Sequence, residues 1–573
     1  MQGTESSPSS ATVHPLLANP YDHHKYLGTV SQIGKSSVRV ALSGAPQNGS
    51  ANGAEPYEAA EVGQYVVVSS GKHAIFGQIS DIRLVDGSGG VGFDSQAVAT
   101  IQLLSSIETT SGFICAGVVA HPKIGSSAFV AHPKIVQLVA ESKQRKGGQE
   151  AAVTLSFGHL PDIDHTPVHF TPEMLFGRHC ALLGTTGAGK SWSVARLVEE
   201  ISRFRAKVIL LDATGEFGAL TRGTHHVHLG RDPNAHKRST EVSLPYNQLT
   251  ESDLFAIFKP RGQSQAPKLR AAMKSLKLAR LSPKLALDGC IIKVDKSKLH
   301  YEAEYSRFFS EIEKVDADFD ITKLTRQIEN ECVKPQRSPF EPEYWGGVNG
   351  ADQSLCVPLI TRINDIIGSE NLEPIFKPDG KPSLITAIDR FVKDENSSVL
   401  RVNLQYLSFQ HNAREIIANA AGRHLLKLAR EARFREKPLV VIVDEAHQFL
   451  NRTTEGKMQD EYPLDAFADI AKEGRKYALS ICIATQRPRD IPEGVLSQMG
   501  TLIVHRLINH LDRAVVERAS GEIDKSTLES LPTLAPGEAV IIGVDFPVPL
   551  LLRVNAPKAR PDSAGADYQR FWR

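Results

Sequence analysis

One octapeptide narrows the folds open to this chain more than any other stretch. Gly184-Thr185-Thr186-Gly187-Ala188-Gly189-Lys190-Ser191 fits G-x-x-x-x-G-K-[ST] in full. An apolar run, Cys180 to Leu183, precedes it, and Val194, Leu197, Val198 and Ile201 follow at i, i+3, i+4, i+7, the spacing of a helix. Strand, glycine loop and helix in that order call for a parallel sheet flanked by helices. In such a loop the glycines let backbone N–H groups close on phosphate oxygens, and the helix N-terminus adds its positive end. Lys190 neutralises the outer phosphates and the Ser191 hydroxyl suits Mg2+. Thr186, Gly187, Ala188, Gly189, Lys190, Ser191 and Trp192 are therefore the expected contacts to ATP. A purely structural turn has no need of the Lys-Ser pair.

A second run, Leu439 to Val443, is five apolar residues that deliver Asp444 and Glu445 to the end of a buried strand. Ligands of open parallel sheets bind at that edge. Asp444 is suited to hold Mg2+ through water, and Glu445 to act as general base on the attacking water. Acids at a strand end otherwise cap or sit in solvent; the loop upstream favours the functional reading. Leu479 to Ala484 is another buried strand that ends at Thr485 and Gln486, whose amide either orients the nucleophile or holds loop backbone. Lys207 to Leu211 is a third, ending in Asp212 and Glu216, which either join the site or cap a helix. Phosphoryl transfer in rings commonly uses an arginine from a neighbouring subunit. Arg475, in the Lys472 to Lys476 stretch, is the first candidate, and Arg506 the second.

At 573 residues the chain is long enough for about three or four domains. Hydrophobic residues at 41% and charged residues at 23% are ordinary globular values. With 66 basic against 65 acidic side chains, any nucleic-acid contact has to come from a local surface. The N-terminus lacks the basic start and apolar core of a secretory signal, no apolar run reaches the ~20 residues of a membrane span, and the six cysteines are scattered. A cytoplasmic protein is expected.

The fold class that follows is α/β, a RecA-like P-loop NTPase core with an N-terminal β-barrel and a helical insertion. The divisions are a flexible tail (1–22), a barrel (23–150), core (151–247), helical insertion (248–395), core again (396–538), and a last strand with a tail (539–573). In the barrel segment Val38, Val40 and Leu42 alternate with Arg39 and Ala41. VAHPKI occurs at 119–124 and again at 130–135, and is either a hairpin's two strands or an accident of drift. Lys259 to Lys284 holds eight basic residues and no acidic one; it is a solvated helix face or a DNA track. His225, His226 and His228 lack a fourth ligand nearby, which speaks against a metal. Tyr568, Phe571 and Trp572 in the tail either dock on a partner or fray.

Taken together, GTTGAGKS, LLDATGEF, VVIVDEAHQFL and the block from Ile470 to Asp512 resemble the HerA family of hexameric ATPases, relatives of FtsK. The last block is the most specific, running far beyond a generic P-loop pattern. LGTV at Leu27, GQYVVV at Gly63 and FGQI at Phe76 look like the family's HAS barrel. The likeness covers most of the chain, weakly between Gln248 and Lys393. It implies a homohexamer that threads double-stranded DNA and works with an effector, either a NurA-type nuclease in end processing or a sirtuin-like or other effector in anti-phage defence. Asp444-Glu445 stands where many relatives carry two glutamates, which preserves both roles. A superfamily 2 helicase would need a Q-x-x-G-R-x-G-R finger and an ABC ATPase an LSGGQ signature, and neither is present. The remaining rival is a ring ATPase that assembles an effector without moving DNA.

Overall fold

A computed structural model describes residues 14–43, 60–86, 95–144, 153–161, 165–231, 239–408, 410–450, 464–521, 523, 525–563 and 568–572. The chain divides into two compact units, Met1–Leu197 with Met499–Ala556, and Val198–Gln498 with Pro557–Arg573. Residues 1–13 of the expected tail lie outside the described residues; Pro15–Ala18 is a short helix with Leu17 buried.

In the first unit, strands Tyr26–Ile33, Ser37–Leu42, Tyr65–Ser70, His73–Asp86, Ser95–Glu108 and Ser127–Val130 pair antiparallel. The sheet closes because Ser37–Leu42 pairs with both Tyr26–Ile33 and Ser95–Glu108. Alternation dictates this: Val38 and Val40 are buried while Arg39 faces solvent. Leu27, Val30, Val66, Val68, Ile75 and Ile101 fill the same interior. Closure satisfies the backbone groups that an open sheet would present at its edges.

The two VAHPKI copies are not a hairpin. The second copy closes the strand Ser127–Val130 and, from Pro133, begins the helix Pro133–Ala140, opened by His132 Nδ1 accepting from Lys134 N and continued by the apolar residues Ile135, Val136, Leu138 and Val139. The first copy is irregular and runs into Gly125, whose φ of +84° turns the chain. Identical hexapeptides thus take the conformation that their downstream residues set.

The remainder of this unit is a mixed sheet. Cys180–Leu183 runs parallel to Thr501–Val504, and Glu538–Gly543, Leu550–Val554, Leu155–His159 and Pro167–Phe170 follow antiparallel. Tyr65 of the barrel donates its hydroxyl to the Pro549 carbonyl (2.9 Å) and accepts from Leu551 N (3.3 Å).

The second unit holds a parallel sheet in the order Ser239–Glu241, Thr224–His228, Val399–Asn403, Lys207–Asp212, Leu439–Val443, Leu479–Thr485. Its central strands are buried almost throughout, which is why they read as unbroken apolar runs. Between Glu241 and Val399 the chain is helical, including Glu251–Phe258, Gly262–Leu281, Leu324–Glu331, Gly350–Gly368 and Leu384–Lys393. In Gly262–Leu281 the apolar Leu269, Met273 and Leu276 are buried. Lys268, Arg270, Lys274, Arg280 and Lys284 pair with Asp352, Glu251, Glu313, Asp318 and Glu304. Five of the eight basic side chains are therefore paired within the second unit, which weakens the field available to attract a phosphate backbone.

No described helix is long and apolar enough to cross a membrane. All six cysteines are free thiols and five are buried.

Candidate functional site

The phosphate-type loop belongs to the first unit. Cys180–Leu183 is buried at every position, and the helix starts at Lys190. Gly187 (φ +77°) and Gly189 (φ +110°) occupy conformations that side chains disfavour, so the arch requires glycine. Thr185 gives both its N–H and its hydroxyl to the Arg506 carbonyl, each at 3.0 Å. Gly537 N donates to the Ala188 carbonyl at 3.0 Å. Thr186 and Gly187 form the exposed rim, whereas Ala188 and Lys190 are buried and Ser191 is half-buried. Trp192 is 37% exposed. Exposed backbone above a buried lysine at a helix N-terminus fits the phosphate tail of a nucleotide.

Beneath this arch lies a residue that motif reading passed over. His505 is buried and continues the strand Thr501–Val504, its N–H bonded to the Leu183 carbonyl (2.8 Å). Nδ1 lies 2.8 Å from the Glu538 carbonyl and Nε2 lies 2.8 Å from the Ser193 hydroxyl. Burial, with some help from the Lys190 charge, pushes its pKa down to about 4. A polar residue closing the run TLIV was the available signal.

The carboxylates belong to the second unit. Asp444 and Glu445 follow Leu439–Val443 and are 1% and 4% exposed. Glu445 has a φ of +48°, left-handed for a non-glycine residue, the kind of backbone strain that persists at functional positions. Its Oε1 accepts from Gln486 Nε2 at 2.5 Å, and its Oε2 lies 3.2 Å from His447 Nδ1. Thr485 Oγ1 lies 3.2 Å from the same nitrogen and accepts from Arg487 N at 3.0 Å. The structure thus brings Glu445 and Gln486 together and adds His447, three residues beyond Asp444. Arg475 is exposed on the short turn between the helix Ala466–Glu473 and the strand Leu479–Thr485.

Asp212 has a different task. Its oxygens accept from Gly215 N (2.7 Å) and Phe217 N (3.1 Å) and take a 2.7 Å pair from Arg401, which is buried with it. The strand-end acid is consumed in shaping its own turn. Glu216 caps no helix, and its Oε2 is buried without a hydrogen-bond partner. Arg401, a lone charge in the apolar strand SSVLRVNL, should depend on this pairing. Arg401→Met is expected to cost about 3–5 kcal/mol by stranding the buried carboxylate. The urea midpoint of the purified variant checks this, and a loss under about 1 kcal/mol would mean that water reaches Asp212. The three histidines of Thr224–His228 are each engaged: His226 with the Leu220 carbonyl, His228 with Ser239 and His225 with Asp394. Among the described residues no group of His, Cys, Asp or Glu is arranged to hold a metal by itself.

Comparison with known proteins places these features in company. The family described as Helicase HerA, central domain, matches residues 155–337. A probable helicase of Methanocaldococcus jannaschii is 24% identical over 414 residues, 70% of this chain and 70% of that protein. The probable DNA double-strand break repair helicase HerA of the same organism is 24% identical over 415 residues, 70% of this chain and 76% of that protein. Among solved structures, VirB4 of Thermoanaerobacter pseudethanolicus aligns with a TM-score of 0.43 at 14% identity, over 72% of this chain and 98% of that one.

Proposed function

We propose that the chain is an ATP-hydrolysing helicase of the HerA family, to whose members it is similar over about 70% of its length, and that it works as a homohexamer that moves along double-stranded DNA. We assign the barrel to 23–150, the ATPase core to 151–247 and 396–538, the insertion to 248–395, and the closing strand and tail to 539–573. Thr186 to Trp192 hold ATP through backbone N–H groups and the Lys190 ammonium. Ser191 and Asp444 are the residues that would hold Mg2+, which would supply charge neutralisation on the phosphates. Glu445 takes a proton from the attacking water. Gln486 donates to Glu445 Oε1 and so holds the carboxylate in place. Arg475 acts on the nucleotide of a neighbouring subunit, for which its exposure suits it, and the half-buried Arg506 is the second candidate.

The observation that carries the hydrolytic reading is the strained, buried Glu445 pinned by Gln486 at 2.5 Å. An effector partner, a NurA-type nuclease or a sirtuin-like or other defence protein, completes the proposal. One observation favours a second reading, a ring that assembles its effector without moving DNA: four of the five basic side chains on the helix Gly262–Leu281 are paired with nearby carboxylates. The test is steady-state ATPase of the purified protein with and without linear duplex DNA, beside its mass in solution. A hexamer stimulated several-fold by DNA is expected. A ring whose turnover ignores DNA would favour the second reading.

A further inference from the structure

His505 lies where three parts of the first unit converge on the phosphate loop. A Cβ added to Gly184 would sit 2.7 Å from His505 Cβ, and one added to Gly189 would sit 3.6 Å from Cε1, so the ring fills the underside of the arch. The Glu538 carbonyl can only accept, which places the proton of the neutral ring on Nδ1. Nε2 is then an acceptor and takes the Ser193 hydroxyl proton. Ser193 is on the first turn of the helix that begins with Lys190 and Ser191. Glu538 is held in turn, its carboxylate accepting from Ala535 N and pairing with Arg553. The imidazole therefore spans from a braced strand end to the helix turn that carries the phosphate-binding side chains. A hydrophobic residue of the same size would fill the space and leave both polar groups unbridged.

We propose that His505 is a positioning residue for nucleotide, bridging Ser193 to the Glu538 carbonyl so that Lys190 and Ser191 are set before the phosphates arrive. The inference rests on the nucleotide-binding reading above and adds a residue to it. Because Lys190 and Ser191 meet phosphate in both ground and transition states, a displaced helix turn weakens binding more than it slows chemistry.

The test compares wild type, His505→Phe, His505→Gln, Ser193→Ala and the Phe/Ala double variant, each as the full chain. Affinity for ATP and ADP is measured by calorimetry, and KM and kcat by phosphate release. His505→Phe should weaken both affinities and raise KM by about tenfold, the size of one lost polar tether, with kcat within about twofold. Glutamine places an acceptor near the Nε2 position and should recover affinity to within about threefold. Ser193→Ala should match His505→Phe, and the double variant should be no worse than either, since both remove one bridge.

Affinities unchanged in Ser193→Ala, single effects that multiply in the double variant, or a kcat loss at constant KM would each overturn the proposal. If His505→Phe does not fold, Ser193→Ala and His505→Gln decide the matter. A wild type that binds ATP but hydrolyses none removes the hydrolytic reading and leaves the affinity comparison to judge His505; a wild type that binds no nucleotide overturns both.

Discussion

Glu445→Gln lowers ATP turnover by about 10²–10⁴-fold and leaves ATP affinity near that of the wild type, the expected consequence of removing a general base while keeping its shape. The structure explains why the loss should be large. Glu445 is buried at the end of a rigid strand, and Gln486 already orients its carboxylate. A glutamine there cannot take a proton. It also meets the Gln486 amide, so one of the two has to present its oxygen to the other's nitrogen. Phosphate release at saturating ATP, beside calorimetric affinity, separates the two quantities. Turnover within a few-fold of wild type would take the base role away from Glu445 and direct attention to Asp444 or Glu216.

Lys190→Ala has the opposite signature: binding itself is lost. Lys190 is 4% exposed at the first position of its helix, beneath the exposed backbone of Thr186 and Gly187. A hydrogen bond from a charged group to phosphate is worth about 1.5–3 kcal/mol, or roughly 10–150-fold in affinity. Turnover at ATP below the wild-type KM should therefore fall by at least that factor, and raising ATP should restore it only in part. Calorimetric titration reads the loss directly, with the thermal midpoint confirming that the variant folds. An unchanged ATP affinity would mean that the loop does not receive the phosphates.

These two positions were legible from sequence because local chemistry dictates them. A glycine arch needs Gly187 and Gly189, and an apolar strand ending in two carboxylates needs no distant partner to be noticed. The barrel was legible for a related reason, since Val38 and Val40 alternate with an exposed Arg39. What escaped were relations across long sequence separations. Nothing adjacent to Arg401 announces Asp212, and nothing near Lys274 or Arg280 announces Glu313 or Asp318, so a largely paired helix face read as either a solvated face or a DNA track. His505 escaped because its partners Ser193 and Glu538 come from separate stretches of chain. The VAHPKI repeat shows the converse limit: six matching residues are irregular where Gly125 follows and enter a helix at Pro133 where apolar residues follow.

The placement of the helical segment bears on how such a chain can vary. It leaves the sheet after Glu241 and returns at Val399, and these two strands flank the single strand Thr224–His228. With strands about 4.8 Å apart and a rise of about 3.3 Å per residue, the two ends are separated by roughly 16 Å. A connection of about a dozen residues spans that gap in an ordinary parallel crossover. The sheet therefore constrains only the two points of attachment, while buried Asp253, held by Asn419 and Arg423, ties the start of the segment to the helix Ala413–Arg430, so the parts beyond that tie have the most room to be lengthened or trimmed. Selection can act on that segment as an attachable accessory while the strands bearing Asp212 and Asp444 keep their register.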